Sequence, residues 1–291
     1  MTSVTYDTHG EWLAARRLPC DDCMVPIHAS EVSEILFGEP LKVYAAKLGH
    51  EIEDSYLLRR GRRMEGVIAE EYAEQTGRPI FDPGPFTVQQ HAGVPWLRAT
   101  LDRVAYADGR PDNPGPLQIK LALGSAHEWR DGPPLRYEVQ VQFEIACYGS
   151  AWGSLCGMIG PGPLAVHDLE RDDELVALAI PKLQEFRERV RDGIPPEPRS
   201  SAALDVAKRL WAGSGDTITL ADPSVLDLVA AWERARSSRD RSEEWRQESE
   251  ARIRVLMTDA SAAWLPDGSL LTRRKRGRGE SIVREFPRRT R

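Results

Sequence analysis

Apolar and polar positions alternate in three short runs through the middle of the chain, Phe86 to Gln90, Trp96 to Tyr106 and Leu117 to Leu121, bounded by the turn-forming stretches DPGP and ADGRPDNPG. A period of two punctuated by Gly, Pro, Asn and Asp predicts three neighbouring strands. Upstream, Ser55 to Thr76 carries Met64, Ile68 and Tyr72 at helical spacing and predicts a long helix with one apolar stripe. Shorter helices are expected at Glu11 to Arg17 and in HASEVSEIL, starting near Ser30. Downstream, Tyr137 to Gly149 predicts a helix with Tyr137, Gln140 and Glu144 on one face. Strands follow at Ala151 to Ile159 and Leu164 to Leu169, then a helix from Asp172 to Arg191, stopped by Pro195, Pro196 and Pro198.

The pattern changes past those prolines. Asp222 to Met257 is rich in Arg, Glu and Ser, with Leu226, Leu228, Val229, Ile253 and Leu256 as a thin apolar edge, which predicts one long, partly exposed or coiled-coil helix. A hairpin is expected about Pro266-Asp267-Gly268, followed by a basic strand or coil whose Arg273, Arg274, Lys275 and Arg276 suit phosphate contacts. The expected division is a domain at 1–198 and an extension at 199–291.

Composition narrows the class. With 291 residues, 41% of them hydrophobic, the chain can bury a full core. No apolar run approaches a membrane span, and MTSVTYDTHGEW lacks the layout of a signal peptide, so a cytoplasmic protein is expected. The net charge of −6 argues against coating DNA by bulk charge, yet leaves room for a local basic channel. Cys20 and Cys23 form a lone C-x-x-C, while Cys147 and Cys156 sit in an apolar stretch and read as small buried residues. There is no GxxxxGK[ST] loop, G-x-S-x-G elbow or H-E-x-x-H pair, which removes support for an ATP-driven motor, a serine hydrolase and a zinc peptidase.

The chemistry concentrates between Trp96 and Lys120. A hairpin there would set Asp102 beside Gln118 and Lys120, and the last two, two apart on a strand, share a face. Phosphodiester hydrolysis needs a hard divalent cation on oxygen ligands, with a positive group beside the attacking water. Ser30 fits equally a helix N-cap or an anion contact. Glu65 lies beside the apolar stripe of its helix, after Arg59, Arg60, Arg62 and Arg63, and reads by itself as a solvated face with ion pairs.

These motifs occur in a fixed order: HASEVSEIL, then Tyr44 and Lys47-Leu48-Gly49, then RRGRRMEGVIAEEYAEQTGR, then the Asp102 to Lys120 hairpin, then GPPLRYEVQVQFEIACYG. Over roughly the first two thirds of the chain this order resembles the phage lambda exonuclease or YqaJ-type viral recombinase family, a branch of the PD-(D/E)XK nucleases. The resemblance implies an α/β restriction-endonuclease-like core, a central mixed sheet flanked by helices. It also implies a metal-dependent deoxyribonuclease digesting one strand of linear duplex DNA 5′ to 3′. The 3′ single strand would serve a phage or prophage annealing protein in a bacterial cytoplasm, and lambda-type members form a ring trimer. By the same resemblance Asp102, Gln118 and the carbonyl of Ile119 would hold magnesium or manganese, with Glu65 assisting. Lys120 would activate water, with support from Gln140 rather than Gln142. Arg16, four residues after Trp12, and Ser30 would take the 5′ phosphate, with Arg17 as the alternative arginine and Arg62 and Arg63 as backbone contacts.

Gln118 departs from the family, where glutamate is usual. An amide oxygen holds a hard cation less firmly than a carboxylate. The glutamine fits a tolerated natural variant, an engineered isostere, or a lineage that binds DNA as a recombination accessory protein without cutting it.

Overall fold

The computed structural model describes residues 2–17, 25–50, 56–107, 110, 112–237, 242–276 and 279–286. The chain forms two compact units, one made of residues 1–37 and 47–194 and the other of 38–46 and 195–291. Cys20 and Cys23 fall outside the described residues.

The first unit holds two sheets. In chain order its elements are β1 (Thr2–Thr5), α1 (His9–Ala14), β2 (Ile27–His28), α2 (Ala29–Leu36), α4 (Tyr56–Thr76), β3 (Ile80–Phe81), β4 (Thr87–His91), β5 (Val94–Thr100), β6 (Arg103–Tyr106), β7 (Pro114–Leu121), α5 (Leu135–Tyr148), β8 (Trp152–Met158), β9 (Ala165–Glu170) and α6 (Asp173–Arg191); α3 (Pro40–Lys47) lies between α2 and α4. One sheet runs β1-β4-β5-β2 and the other β3-β6-β7-β8-β9. In the larger sheet only β7 and β8 are parallel, with Gln118 beside Leu155 and Lys120 beside Gly157.

Two corrections to the expected strands follow. The three alternating runs do not form one set of neighbours: β4 and β5 belong to the smaller sheet, β6 and β7 to the larger. The run from Trp96 to Tyr106 is broken at Leu101-Asp102, where the chain passes from one sheet to the other. Side-chain alternation reports a pleat but not the sheet a strand joins.

The pleat of β7 sorts its residues between two helices. Leu117 and Ile119 pack with Ile68, Ala69 and Tyr72 of α4. Gln118 and Lys120 project the opposite way, toward α5. Close packing of α5 on the sheet depends on Gly153 of β8, where a Cβ would come within 2.8 Å of Ile145. The helix ends at Gly149, left-handed at φ 80°, whose N–H donates to the Ile145 carbonyl at 2.8 Å.

In the second unit, α7 (Ala203–Leu210), β10 (Thr217–Thr219), α8 (Ser224–Ser237), α9 (Ser242–Met257), β11 (Ala262–Trp264), β12 (Leu270–Arg276) and β13 (Gly279–Glu285) follow in order. The helical pattern expected as one long helix is two, α8 and α9, that pack on each other. Of the expected apolar edge, Val229 and Ile253 are buried with Val225, Trp232 and Met257 against Ala263, Leu271 and Ile282 of the sheet β10-β11-β12-β13, Leu226 and Leu228 pack on this core, and Leu256 is exposed. Arg273 is tied inward, donating to the carbonyls of Trp211 and Thr258, and Arg274 pairs with Glu285 at 2.5 Å. Both basic side chains are thus engaged within the unit.

Candidate active site

Four elements bring the expected residues to one place. Asp102, in the break between β5 and β6, is partly buried, and its Oδ2 accepts the backbone N–H of Ile119 at 2.8 Å and the Gln118 amide nitrogen. The same Gln118 nitrogen lies 3.2 Å from the Ile119 carbonyl oxygen. Gln118, 3% exposed, turns its Oε1 to the Gln140 amide of α5. Gln140 Oε1 in turn accepts from Lys120 Nζ at 3.1 Å, and the ammonium stands 4.9 Å over the Tyr137 ring. A continuous hydrogen-bonded chain therefore runs from Asp102 through Gln118 and Gln140 to Lys120.

Gln140 is a buried member of this chain rather than a helix-surface amide. Gln142 has a different occupation, donating to the Glu170 carbonyl at 2.7 Å and accepting from the Asp172 N–H at 2.9 Å, which anchors the start of α6. One residue not singled out from the sequence joins the site. Glu144, one turn after Gln140, is 1% exposed, and its Oε1 accepts from Gln140 Nε2 at 2.8 Å. Its placement on the face of Tyr137 and Gln140 was the available signal; α5 is buried on nearly all sides, so amphipathicity does not separate it from a surface glutamate.

The acids of this region are held in low dielectric. Burial raises the Asp102 carboxyl, with Lys120, the Ile119 N–H and Arg103 pulling the other way. Glu65, on α4, is pushed up to about 7 by burial and then by Asp102, against Arg103, Lys120 and Arg62. Glu144 is pushed up to about 8 by burial first and Asp102 second. Arg62 and Arg63 remain exposed on α4 before Glu65. The buried thiols of Cys147 and Cys156 are both pushed up by desolvation, as suits core residues.

The donor set suits a hard divalent cation. It offers the Asp102 carboxylate, the amide oxygen of Gln118 and the carbonyl of Ile119. Glu144 Oε2 is buried without a hydrogen-bond partner, an orphan acceptor on a residue of this network. No three His, Cys, Asp or Glu side chains among the described residues converge as a ready metal cage, in keeping with an amide at position 118.

A second cluster forms where α1 meets α2. Arg16 stacks on Trp12 at 4.8 Å and reaches Ser30 Oγ at 3.3 Å and Glu31 at 3.6 Å. Lys47 Nζ, fully buried, bonds Glu31 at 2.7 Å and the Arg16 carbonyl at 3.0 Å; burial lowers its pKa to about 8. His28 is buried with both ring nitrogens unpartnered, and desolvation together with Arg16, Lys47 and Arg98 holds its pKa well below the usual value. Several cations around one carboxylate leave an excess of positive charge beside the Ser30 hydroxyl, a setting for an anion.

Residues 11–151 match the YqaJ-like viral recombinase domain family. This part of the chain is similar to that family. Among solved structures, the alkaline exonuclease LHK-Exo of Laribacter hongkongensis aligns with a TM-score of 0.51 at 21% identity, over 64% of this chain and 94% of that one. Its complex with dAMP aligns with the same figures. A phage-related exonuclease from Haemophilus somnus 129PT aligns over 59% of this chain and 96% of its own, at 12% identity and a TM-score of 0.46. A search of the curated proteins finds no match. The Laribacter alignment shows that this chain shares the fold of that structure, a mixed α/β core. No helix among the described residues is long and apolar enough to cross a membrane.

Proposed function

We propose that the chain is a metal-dependent deoxyribonuclease that digests the ends of linear duplex DNA. The observation that carries this reading is the hydrogen-bonded link from Asp102 through Gln118 and Gln140 to Lys120, which joins a carboxylate and an ammonium in one network. Asp102, Gln118 Oε1 and the Ile119 carbonyl would hold magnesium or manganese, with Glu65 assisting. Such an ion supplies Lewis acidity at the phosphoryl oxygen and lowers the pKa of water. Lys120, fixed by Gln140 and the Tyr137 face, orients the attacking water and offsets the charge that grows on the phosphate. Arg16 and Ser30 receive the 5′ phosphate, with Lys47 holding Glu31 in place beside them; Arg62 and Arg63 contact the DNA backbone. Digestion runs 5′ to 3′ and leaves a 3′ strand for an annealing protein in the bacterial cytoplasm, with a ring trimer as the assembly. The family match and the resemblance of the ordered motifs support these last features.

A second reading rests on Gln118. Its amide nitrogen lies against both Asp102 and the Ile119 carbonyl, so the site is self-satisfied without a cation, as in a DNA-binding accessory protein with a weakened centre. End-labelled linear duplex with magnesium or manganese separates the two, using the parent chain, Gln118→Glu and Asp102→Ala. Cutting by the parent that Asp102→Ala abolishes supports the nuclease; cutting by Gln118→Glu alone supports the accessory protein.

A further inference from the structure

Glu144 has no role in the site as drawn so far, and its position is costly. It is 1% exposed, one oxygen is bound to Gln140 and the other is buried with no partner. Among the described residues no ion pair reaches it. A buried carboxylate with a free oxygen is destabilising relative to a satisfied one. A proton relieves the charge, and a divalent cation bound nearby would favour the charged form instead.

Its neighbours indicate what it is for. Gln140 Nε2 is shared between Glu144 Oε1 and Gln118 Oε1, so Glu144 is one amide away from the residue that carries no charge where a nuclease centre needs one. Lys120 joins through the other end of the same amide. We infer that Glu144 is a positioning residue that supplies the negative charge Gln118 lacks: the carboxylate of this metal centre has moved from strand β7 to helix α5 and acts through Gln140. By holding the Gln140 N–H, Glu144 leaves Gln118 Oε1 free to turn from Gln140 to a cation, while its charge balances a divalent ion that Asp102 meets with only one carboxylate. This inference rests on the metal-dependent reading of the site.

The experiment measures binding of Mn²⁺ alone by loss of the free-ion electron paramagnetic signal, with no DNA present, on the parent chain, Glu144→Gln, Gln118→Glu and the double variant. Melting curves accompany each protein to confirm folding. Glu144→Gln is expected to weaken Mn²⁺ binding by about 10- to 100-fold, the range of outer-shell partners. In the double variant Gln118→Glu is expected to restore binding to within about threefold of the parent, a rescue that a purely structural role for Glu144 would not produce. If the parent binds and Glu144→Gln binds as tightly, or the double variant stays as weak as Glu144→Gln, the charge relay is wrong while the metal centre stands. If neither the parent nor Gln118→Glu binds Mn²⁺, the metal-centre reading falls and the inference falls with it.

Discussion

The side-chain nitrogen of Gln118 donates to Asp102 Oδ2 and stands 3.2 Å from the Ile119 carbonyl oxygen, so an N–H group bridges the two oxygens that flank the position proposed for a cation. Loading a cation there requires this amide to turn and to give up its bond to Asp102. Gln118→Glu removes both obstacles and adds a charge. Half-maximal cleavage is expected at about 10-fold less manganese than for the parent. A titration of initial rate against metal on end-labelled duplex checks this, and superimposable curves for the two proteins would remove Gln118 from the metal centre.

Lys120 is held by one hydrogen bond to Gln140 and one aromatic face, and neither supports the core. Lys120→Ala is therefore expected to slow single-turnover cleavage by about 100-fold or more, the scale of a lost transition-state donor. Thermal melting should move by no more than a degree or two. Undiminished cleavage would remove the catalytic assignment.

Two glutamines a strand's spacing apart make a sharper contrast. Gln142 joins the Glu170 carbonyl to the Asp172 N–H, whereas Gln140 joins Gln118 to Lys120. Gln142→Ala removes two hydrogen bonds, to the Glu170 carbonyl and the Asp172 N–H, and should cost about 1–3 kcal/mol of stability, with the rate per folded molecule preserved. Gln140→Ala should lose rate instead. Urea unfolding run beside single-turnover kinetics reads both, and a larger rate loss in Gln142→Ala would reverse the choice between them.

What the sequence made legible was local. The β6–β7 hairpin, the faces of α4 and α5 and the stop after α6 follow from periodicity and turn residues within each segment. Asp102 beside Gln118 was readable because a hairpin fixes register over a short loop. The passage of the chain between sheets at Leu101-Asp102 was not, since alternation looks the same on either side of it. Nor was Glu144: every residue from Val139 to Cys147 is buried, polar ones included, so no polar face marks which side of α5 meets water. The division of the Asp222 to Met257 pattern into two helices was hidden for a related reason. A basic, Ser-rich stretch reads as exposed until a partner sheet covers its apolar edge with Ala263, Leu271 and Ile282.

The buried, uncharged His28 gives a dependence on pH. It faces Arg16 just after α1, Lys47 from α3 and Arg98 from β5, and its pKa in the fold is well below 6.5. The unfolded chain takes up a proton near 6.5 that the fold does not, so this contribution is fully present above that pH and is lost as pH falls toward the depressed value. The slope approaches about 1.4 kcal/mol per pH unit in that window. Urea unfolding at pH 7 and pH 5.5 should show a smaller loss in His28→Gln than in the parent. Equal losses would mean that His28 takes up its proton in the folded state.

Arg16 and Ser30 meet at 3.3 Å beside a carboxylate already claimed by Lys47, which leaves the guanidinium able to accept a further anion. If that anion is the 5′-terminal phosphate, the parent should digest 5′-phosphorylated duplex faster than the 5′-hydroxyl form by about 10-fold, a difference of about 1.4 kcal/mol. Arg16→Ala should digest both at the slower rate, because the hydroxyl end never used the contact. Two ends cut equally by the parent would remove the phosphate from this cluster. A preference that survives in Arg16→Ala would move it to another cation, with Lys47 and Arg17 the first to replace.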